Sequence, residues 1–382
     1  MTTSMEIFFS HDGGRTWKVS QLGPPRKFGK LYAWPCNGLV VTTTWQYAFD
    51  PFDPKRHYIC YTDVGFARSL DAGRTWIWEG YRLPWHNTTY QIAFDPEVPG
   101  KIWGAFSNTH DIPNGNIIYG RHRVRMQGGV AVSTDYGHTW KKLDLPEAPC
   151  VSVVVDPRSP RSARTLYAAL FEKGVFRSTD GGRTWVKRSR GLGSARNMRC
   201  CRLFLHRDGT LFNLVTAKRL PDGSYESEGV GLYRSRDRGE SWEKINRSLP
   251  LRWVKDFAVD PRDSNTILLG AANLRGFPQA GLYRTKDGGK SWHRLAVKGP
   301  EHFGAAFHPK HRGWIYMTLT EGAREAGLYL SRDNGATWEP FLELPFSNIQ
   351  RVHFDPRNEN RIFVTTFGGS VFEGPAVPAG RP

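Results

Sequence analysis

The chain has 382 residues, of which 39% are hydrophobic and 23% charged, and its formal net charge is +17. This composition is typical of a folded globular protein and excludes a disordered chain. It also excludes a helical membrane protein, because no apolar run approaches the roughly 20 residues that cross a bilayer. The positive charge would suit an acidic partner, but basic residues occur in every part of the chain and accompany no nucleic-acid-binding motif. No nucleic-acid partner is therefore predicted.

The N-terminal residues lack a basic segment followed by an apolar core, so no signal peptide is visible. The sequence is compatible with a cytoplasmic protein and with a fragment of a secreted protein. The five cysteines show no metal-ligand spacing and fall mostly in strand-like runs, which favours buried thiols: Cys36, Cys60, Cys150, Cys200 and Cys201. Three histidines near one another in sequence, His86, His110 and His122, follow no zinc pattern, and neither a metal nor a cofactor is predicted.

The dominant feature of the sequence is an eight-residue box that reads Ser or Thr, any residue, Asp, any residue, Gly, any residue, Thr or Ser, Trp. It occurs seven times, beginning at Ser10, Ser69, Ser133, Ser178, Ser235, Thr285 and Ser331. An Asp that accepts bonds from nearby backbone N–H groups and a Gly that tolerates positive φ are typical of a tight hairpin turn. The boxes therefore predict structural turns, and their repetition predicts a repeat protein.

Each box belongs to a longer unit of four short strands. Most units begin with an apolar strand that ends before a proline, as at Asp50, Asp95, Asp156, Asp260, His308 and Asp355. Proline cannot donate to a strand ladder, so each one marks a strand end. Repeated four-stranded units without helical periodicity predict an all-β, seven-bladed β-propeller of antiparallel blades, in which each box joins the third and fourth strands. The blades are predicted to start near residues 45, 89, 151, 198, 254, 303 and 349.

Residues 1–382 are expected to form one propeller, in which residues 1–36 supply a closing strand and the segment that leads into blade 1. The segment Thr16–Ser20 would be the fourth strand of the seventh blade. The segment Glu6–Phe9 also resembles a strand, so two segments compete for one position. Either both chain ends contribute two strands to the closing blade, or the chain begins inside a blade of a longer protein.

The box is similar to the Asp-box, or BNR, repeat of sialidases, xyloglucanases and sortilin-type receptors. A more specific resemblance lies at Asp63-Val64-Gly65 and, before it, at Asn37-Gly38-Leu39-Val40. These segments resemble those of family 74 glycoside hydrolases, which carry a catalytic aspartate in each of two tandem seven-bladed propellers. The resemblance implies that the chain is like one half of such an enzyme, with Asp63 as one catalytic position. Phe66 departs from the pattern, since the family usually has a second Gly there.

Functional residues of propellers usually lie on the face opposite the boxes, in the loops after second strands and between blades. Asp63 lies in such a loop. A glycosidase needs a second carboxyl group, about 5 Å away for retention or about 6.5–9.5 Å away for inversion. Asp111 is the first candidate because it lies in the longest insertion, residues 108–127, on the neighbouring blade. The alternative candidates are Glu172, Glu301 and Glu321. The candidate substrate-binding residues are Trp85, His86, Asn87, His110, Glu172, Arg219, Arg252, Trp253, His302 and Glu321.

Two functions remain open at this point. The first is a glycosidase-like propeller that acts on or binds β-linked glycans, with Asp63 as acid or base and with a missing second propeller as a partner. The second is a non-catalytic propeller that binds a glycan, an acidic ligand or a protein, since propellers of photosystem assembly use similar repeats. In the second case Asp63 is an ordinary turn carboxylate and the tryptophans serve only to pack the blades together.

Overall fold

A computed structural model describes residues 8–9, 12–16, 18–19, 26–33, 42–112, 114–119, 125–226, 228–320 and 325–378. Two short hairpins come first in the chain, formed by β1 (Phe8–Phe9) with β2 (Lys18–Val19) and by β3 (Arg26–Phe28) with β4 (Leu31–Ala33). Seven antiparallel sheets follow, and in each of them the strands pair in chain order or its reverse, as a meander.

Blade 1 consists of β5 (Thr44–Phe49), β6 (His57–Tyr61), β7 (Phe66–Ser69) and β8 (Ile77–Trp78). Blade 2 consists of β9 (Thr88–Phe94), β10 (Ile102–Ser107), β11 (Gly128–Ser133) and β12 (Lys141–Lys142). Blade 3 consists of β13 (Cys150–Val155), β14 (Leu166–Leu170), β15 (Gly174–Ser178) and β16 (Val186–Lys187). Blades 4 and 5 are β17 (Cys200–Leu205), β18 (Leu211–Val215), β19 (Gly231–Ser235), β20 (Glu243–Lys244); and β21 (Val254–Asp260), β22 (Asp263–Ala271), β23 (Gly281–Thr285), β24 (His293–Ala296). Blades 6 and 7 are β25 (His302–Phe307), β26 (Ile315–Leu319), β27 (Gly327–Ser331), β28 (Glu339–Pro340); and β29 (Ile349–Asp355), β30 (Asn358–Thr366), β31 (Val371–Pro375).

The predicted all-β seven-bladed propeller is confirmed by this order. Within the described residues, helical structure consists of α1 (Gly115–Ile118) and one 3-10 turn (Gly80–Arg82). The second strands read as continuous apolar runs because both of their faces are covered by neighbouring blades, and every residue of β14 is buried. The core lies between adjacent blades, as where Trp103 of blade 2 packs with Val153 and Leu166 of blade 3.

The boxes form the predicted turns between third and fourth strands. In the box of blade 3, Ser178 Oγ donates to Asp180 Oδ1 and accepts from Gly182 N, while Thr184 N and Oγ1 both donate to the Asp180 carboxylate. In the box of blade 4, burial alone would raise the pKa of Asp237, yet hydrogen bonds from Ser241 lower it to about 2. The box carboxylates are thus engaged in holding the turn, which confirms their structural role.

The residue before each proline landmark holds a second kind of turn, after the first strand. The Asp156 carboxylate accepts from the backbone N–H two residues on, at 3.0 Å, and Asp50, Asp95, Asp260 and Asp355 do the same. In blades 4 and 6, where the aspartate is replaced, His206 Nδ1 and His308 Nδ1 accept the equivalent bonds. The ring nitrogen therefore substitutes for a carboxylate oxygen, and blade 4 keeps the common fold despite its different sequence.

Blade 7 meets blade 1 through side-chain packing and hydrogen bonds. The rings of Tyr47 and Phe363 stack with centroids 4.2 Å apart, and Tyr61 Oη lies 2.8 Å from Ser370 Oγ. Among the described residues, blade 7 has three strands, and Lys18–Val19 pairs with Phe8–Phe9. The predicted use of Thr16–Ser20 as its fourth strand therefore differs from the pairing found, because the two sides of the first box form a hairpin with each other.

A buried ion network crosses the central channel and links four blades. Asp256 on β21 pairs with Arg202 Nε on β17 at 3.3 Å and with Arg351 Nε on β29 at 2.5 Å. Arg351 also donates to the carbonyl oxygen of Trp45 on β5, at 2.7 Å. We call Arg202, Asp256 and Arg351 the channel brace, since it joins the first strands of blades 4, 5 and 7 and reaches blade 1.

The four cysteines within the described residues, Cys60, Cys150, Cys200 and Cys201, are free and buried, as predicted; Cys36 lies outside those residues. Burial raises the pKa of Cys150 to about 12, so its thiol stays protonated and unreactive at neutral pH.

Candidate functional site

Asp63 lies at the tip of the turn between β6 and β7, on the face opposite the boxes. Its φ of 59° places it in the left-handed region, which aspartate tolerates better than most residues. The turn is held on both sides: Tyr61 N donates to Gly65 O at 2.8 Å, and Trp78 Nε1 donates to Val64 O at 2.7 Å. The backbone thus presents the Asp63 side chain from a rigid support.

Phe66, the residue that departs from the family 74 pattern, opens β7 and is fully buried. Its ring stacks on Tyr58 and meets Trp140 of blade 2 edge-on, each at 5.7 Å. The bulky residue is therefore accommodated by the core between blades 1 and 2.

The carboxylate of Asp63 is directed to solvent and to the loops of blade 2. Its side chain is 46% exposed. Asn87 Nδ2 donates to Asp63 Oδ1 at 3.1 Å, and Thr42 Oγ1 lies 3.5 Å from Oδ2. These partners are side chains, in contrast to the box carboxylates, which accept backbone N–H groups. Asp63 therefore keeps accepting capacity for a ligand.

His110 and Asp111 come to the same place from the insertion between β10 and β11. The base of this insertion is clamped by Asn108, whose backbone and side chain both bond to Gln127. Deeper in the loop, the buried Tyr90 hydroxyl donates to Thr109 O at 2.8 Å and accepts from Ile112 N at 3.0 Å. The insertion is thus attached to the core of blade 2 immediately before and after the two candidate residues.

The three titratable groups form a compact cluster. His110 Nδ1 lies 3.1 Å from Asp111 Oδ2 and 3.8 Å from Asp63 Oδ1. The two carboxylate oxygens are therefore at most about 7 Å apart, the sum of these distances. The hydrogen bond to Asp111 raises the pKa of His110, since it stabilises the protonated ring. We call Asp63, Asn87, His110 and Asp111 the carboxylate cluster.

A cavity of about 580 Å³ adjoins the cluster at the mouth of the central channel. Asp111, Trp253, Lys255, Glu301 and Gln350 are among its lining residues, so the cavity extends from the insertion of blade 2 to blades 5, 6 and 7. Lys255, Asn114 and Gln350 were absent from the sequence-based candidates. The signal for Lys255 was present in the sequence, since Lys255-Asp256 places two charges near the start of a first strand, before most of its apolar residues.

The remaining predicted residues occupy different environments. Trp85 packs on Phe106, with centroids 6.5 Å apart, and thus fills the space between blades, whereas His86 is exposed. Glu172 pairs with Arg199 at 3.0 Å, Arg219 is exposed, and the Arg252 guanidinium lies 4.0 Å from the centre of the Phe277 ring. These residues of blades 3 to 5 lie outside the carboxylate cluster.

His302 does not agree with its prediction as a ligand contact, because it is completely buried. Burial lowers its pKa to about 4, and its Nε2 accepts from Lys298 N at 3.2 Å. Glu321 lies outside the described residues. The described part of the chain contains no group of three or more His, Cys, Asp or Glu side chains arranged to hold a metal ion. None of its helices is both long and apolar enough to cross a membrane.

Comparisons with known families agree with the repeat architecture. Residues 8–19 match the BNR/Asp-box repeat, and residues 231–372 match the family described as Sortilin, neurotensin receptor 3. Each match covers less than half of the chain.

Curated relatives include xyloglucanases. The chain is 31% identical over 170 residues to xyloglucanase Xgh74A of Acetivibrio thermocellus, which covers 36% of this chain and 19% of that protein. It is 29% identical over 155 residues to the xyloglucanase of Hypocrea jecorina, covering 36% of this chain and 17% of that protein. The matched segments thus span less than a fifth of the length of these relatives.

Among solved structures, the family 74 xyloglucanase of Xanthomonas campestris superposes with a TM-score of 0.64 at 17% identity, over 92% of this chain and 53% of that one. YCF48 from Cyanidioschyzon merolae superposes with a TM-score of 0.61 at 14% identity, over 87% of this chain and 95% of that one. Identities this low establish the fold alone. Taken with the repeat and sequence matches, they show that the chain is a BNR-type β-propeller that resembles one propeller of the family 74 glycoside hydrolases.

Proposed function

We propose that this chain is a carbohydrate-active propeller that binds β-linked glycans over the carboxylate cluster, with Asp63 and Asp111 as the paired carboxyl groups of a glycosidase-like reaction. The observation that carries the proposal is the separation of at most about 7 Å between their oxygens, on a face reached by solvent. This limit includes the spacing used by retaining glycosidases and the lower end of the inverting range.

The cluster has the groups that such a reaction needs. One carboxyl group must protonate the leaving oxygen while the other attacks the sugar or activates water. Asn87 donates to Oδ1 of Asp63, and His110 contacts Oδ2 of Asp111. The second oxygen of each carboxyl group takes no part in these two contacts. Positioned groups of this kind supply catalysis by orientation as well as by proton transfer.

The test is release of reducing sugar from β-glucan and xyloglucan oligosaccharides, together with calorimetric binding of the same glycans. Wild type is compared with Asp63→Asn and Asp111→Asn, and with Asp222→Asn as a control, because Asp222 is an exposed carboxylate on the same face of blade 4. Hydrolysis that is lost in both cluster variants and kept in the control supports the proposal. Wild type that neither binds nor cleaves any of these glycans overturns it.

A second candidate function is docking of an acidic partner without catalysis. Arg196, Arg219 and Arg275 lie in exposed loops of blades 3 to 5 on the same face, and the net charge of the chain is +17. Complementary charge of this kind accelerates association and weakens with salt. Binding of a poly-glutamate peptide that is lost when all three arginines are replaced by glutamine, together with absence of glycan binding, would favour this function over the first.

A further inference from the structure

The cavity at the mouth of the central channel has features of a ligand site. Its volume of about 580 Å³ falls in the range of small-molecule sites, roughly 300–1,000 Å³. The insertion of blade 2 reaches across the channel to form part of its wall, since Asn114 Oδ1 accepts from Lys255 Nζ of blade 5 at 2.8 Å. Four aromatic residues also contribute to the wall: Tyr119, Trp253, Phe303 and Phe367.

The charged groups of the cavity are already paired. The Lys255 side chain is completely buried, and its Nζ lies 3.0 Å from Glu301 Oε1 and 4.4 Å from the centre of the Trp253 ring. Glu301 also accepts from Thr320 Oγ1. Asp111 pairs through Oδ2 with His110. A charged ligand would therefore enter without an unpaired opposite charge to meet it, which disfavours anions and cations alike.

Individual hydrogen-bonding atoms of the wall, in contrast, have no partner among the described residues. Gln350 is completely buried on β29 and lines the cavity, yet neither its Nε2 nor its Oε1 has a hydrogen-bond partner within the described part of the chain. The same holds for the buried Oδ1 of Asp111. Buried polar atoms are normally paired, because an unpaired one has lost its hydrogen bonds to water without a replacement. Together they offer one amide nitrogen with two N–H donors and two acceptor oxygens to an occupant.

We propose that this cavity binds a single neutral sugar unit, whose hydroxyl groups pair with Gln350 and with the free oxygen of Asp111. Hydroxyl groups both donate and accept, which matches this set, and the apolar faces of a sugar ring suit Trp253, Tyr119 and Phe303. The inference rests on the proposed function, because Asp111 belongs both to the carboxylate cluster and to the cavity wall. It adds that the protein recognises the end of a neutral glycan.

The experiment is ligand-observed NMR and calorimetry with D-glucose, D-xylose and D-galactose, alongside glucuronate and glucosamine as charged probes. The proteins are wild type, Gln350→Leu and Asn213→Leu. Asn213 serves as the matched control because it is another completely buried carboxamide, located on β18 away from the cavity. We expect wild type and Asn213→Leu to bind at least one neutral sugar more tightly than either charged probe, and Gln350→Leu to bind it at least tenfold more weakly.

Equal binding of the neutral sugars by Gln350→Leu and wild type would overturn the inference, as would absence of neutral-sugar binding or tighter binding of a charged probe. The unfolding midpoint of each variant is measured first, and Gln350→Met replaces Gln350→Leu if the latter does not fold. The two proposals fail separately. If Gln350→Leu still cleaves or binds oligosaccharides and Asp63→Asn does not, the carboxylate cluster stands and the cavity site fails.

Discussion

Replacement of Asp256 by asparagine is expected to destabilise the propeller because it leaves two arginines in the central channel without their counter-charge. Asp256 is 3% exposed and pairs with both Arg202 and Arg351. Removal of one member of a buried ion pair costs about 3–5 kcal/mol. The two arginine side chains are 26% and 14% exposed, so water reaches them in part, and the lower end, about 3 kcal/mol, is expected.

The pKa of Asp256 also leads to a prediction of how the stability of the propeller depends on pH. Burial alone would raise its pKa, but Arg351 and Arg202 lower the pKa of this carboxyl below its usual value. Because the folded pKa is depressed, the stabilisation is present above the unfolded pKa of about 3.9 and is lost as pH falls through the lower folded value. The Asp256→Asn variant should lack this component of acid sensitivity.

The assay is equilibrium unfolding in urea at pH 7, with Asp222→Asn as an exposed control that should leave the midpoint unchanged. The double variant Asp256→Asn with Arg351→Gln should lose less stability than the two single variants combined, since it removes the opposite charges together. A loss below about 1 kcal/mol for Asp256→Asn, or an additive double variant, would refute the role assigned to the channel brace.

Three further predictions concern the site and the cysteines. Because the pKa of His110 is raised, its protonation stabilises the fold fully below the unfolded pKa of about 6.5, and this contribution is lost as pH rises through the higher folded pKa. The stability difference between wild type and His110→Gln should therefore shrink as pH rises above about 6.5, and a difference that stays constant would contradict the prediction. Gly65→Ala should weaken glycan binding in the calorimetric assay, because the φ of Gly65 is +75° and an added Cβ would lie 2.4 Å from Leu83 Cδ1. The control Gly276→Ala should bind as wild type does, because Gly276 has a similar φ of +79° but no atom within 4 Å of an added Cβ. A thiol reagent should modify at most one cysteine, Cys36, before the protein unfolds, and labelling of a second thiol in the native state would contradict the burial of the other four.

Much of the fold could be predicted because its signals are local. The hydrogen bonds of a box join residues two or four apart, such as Asp180 and Thr184, and the Asp-Pro turns join residues two apart. Such contacts leave a repeated pattern in the sequence, and the repeat number then gives the number of blades. The neighbourhood of Asp63 and Asp111 also followed from the repeats, because consecutive blades are adjacent in a ring.

Contacts across the channel could not be predicted in this way. Asn114 and Lys255 are 141 positions apart, and Arg351 and Trp45 are 306 apart; both pairs depend on how the ring closes and on the path of the insertion. The same reason explains His302, which follows a loop in sequence but is buried by neighbouring strands.

By itself the sequence determined the class of fold, the seven repeats, the structural role of the boxes and the choice of Asp63 as a carboxylate outside them. These follow from short-range turn chemistry and from strand periodicity. Only the tertiary structure decided that His110 lies between Asp63 and Asp111 and that Lys255 is neutralised by Glu301. It also decided that Gln350 lines a cavity and has no side-chain hydrogen-bond partner among the described residues. Those relations depend on side-chain directions around a closed ring, which no local pattern specifies.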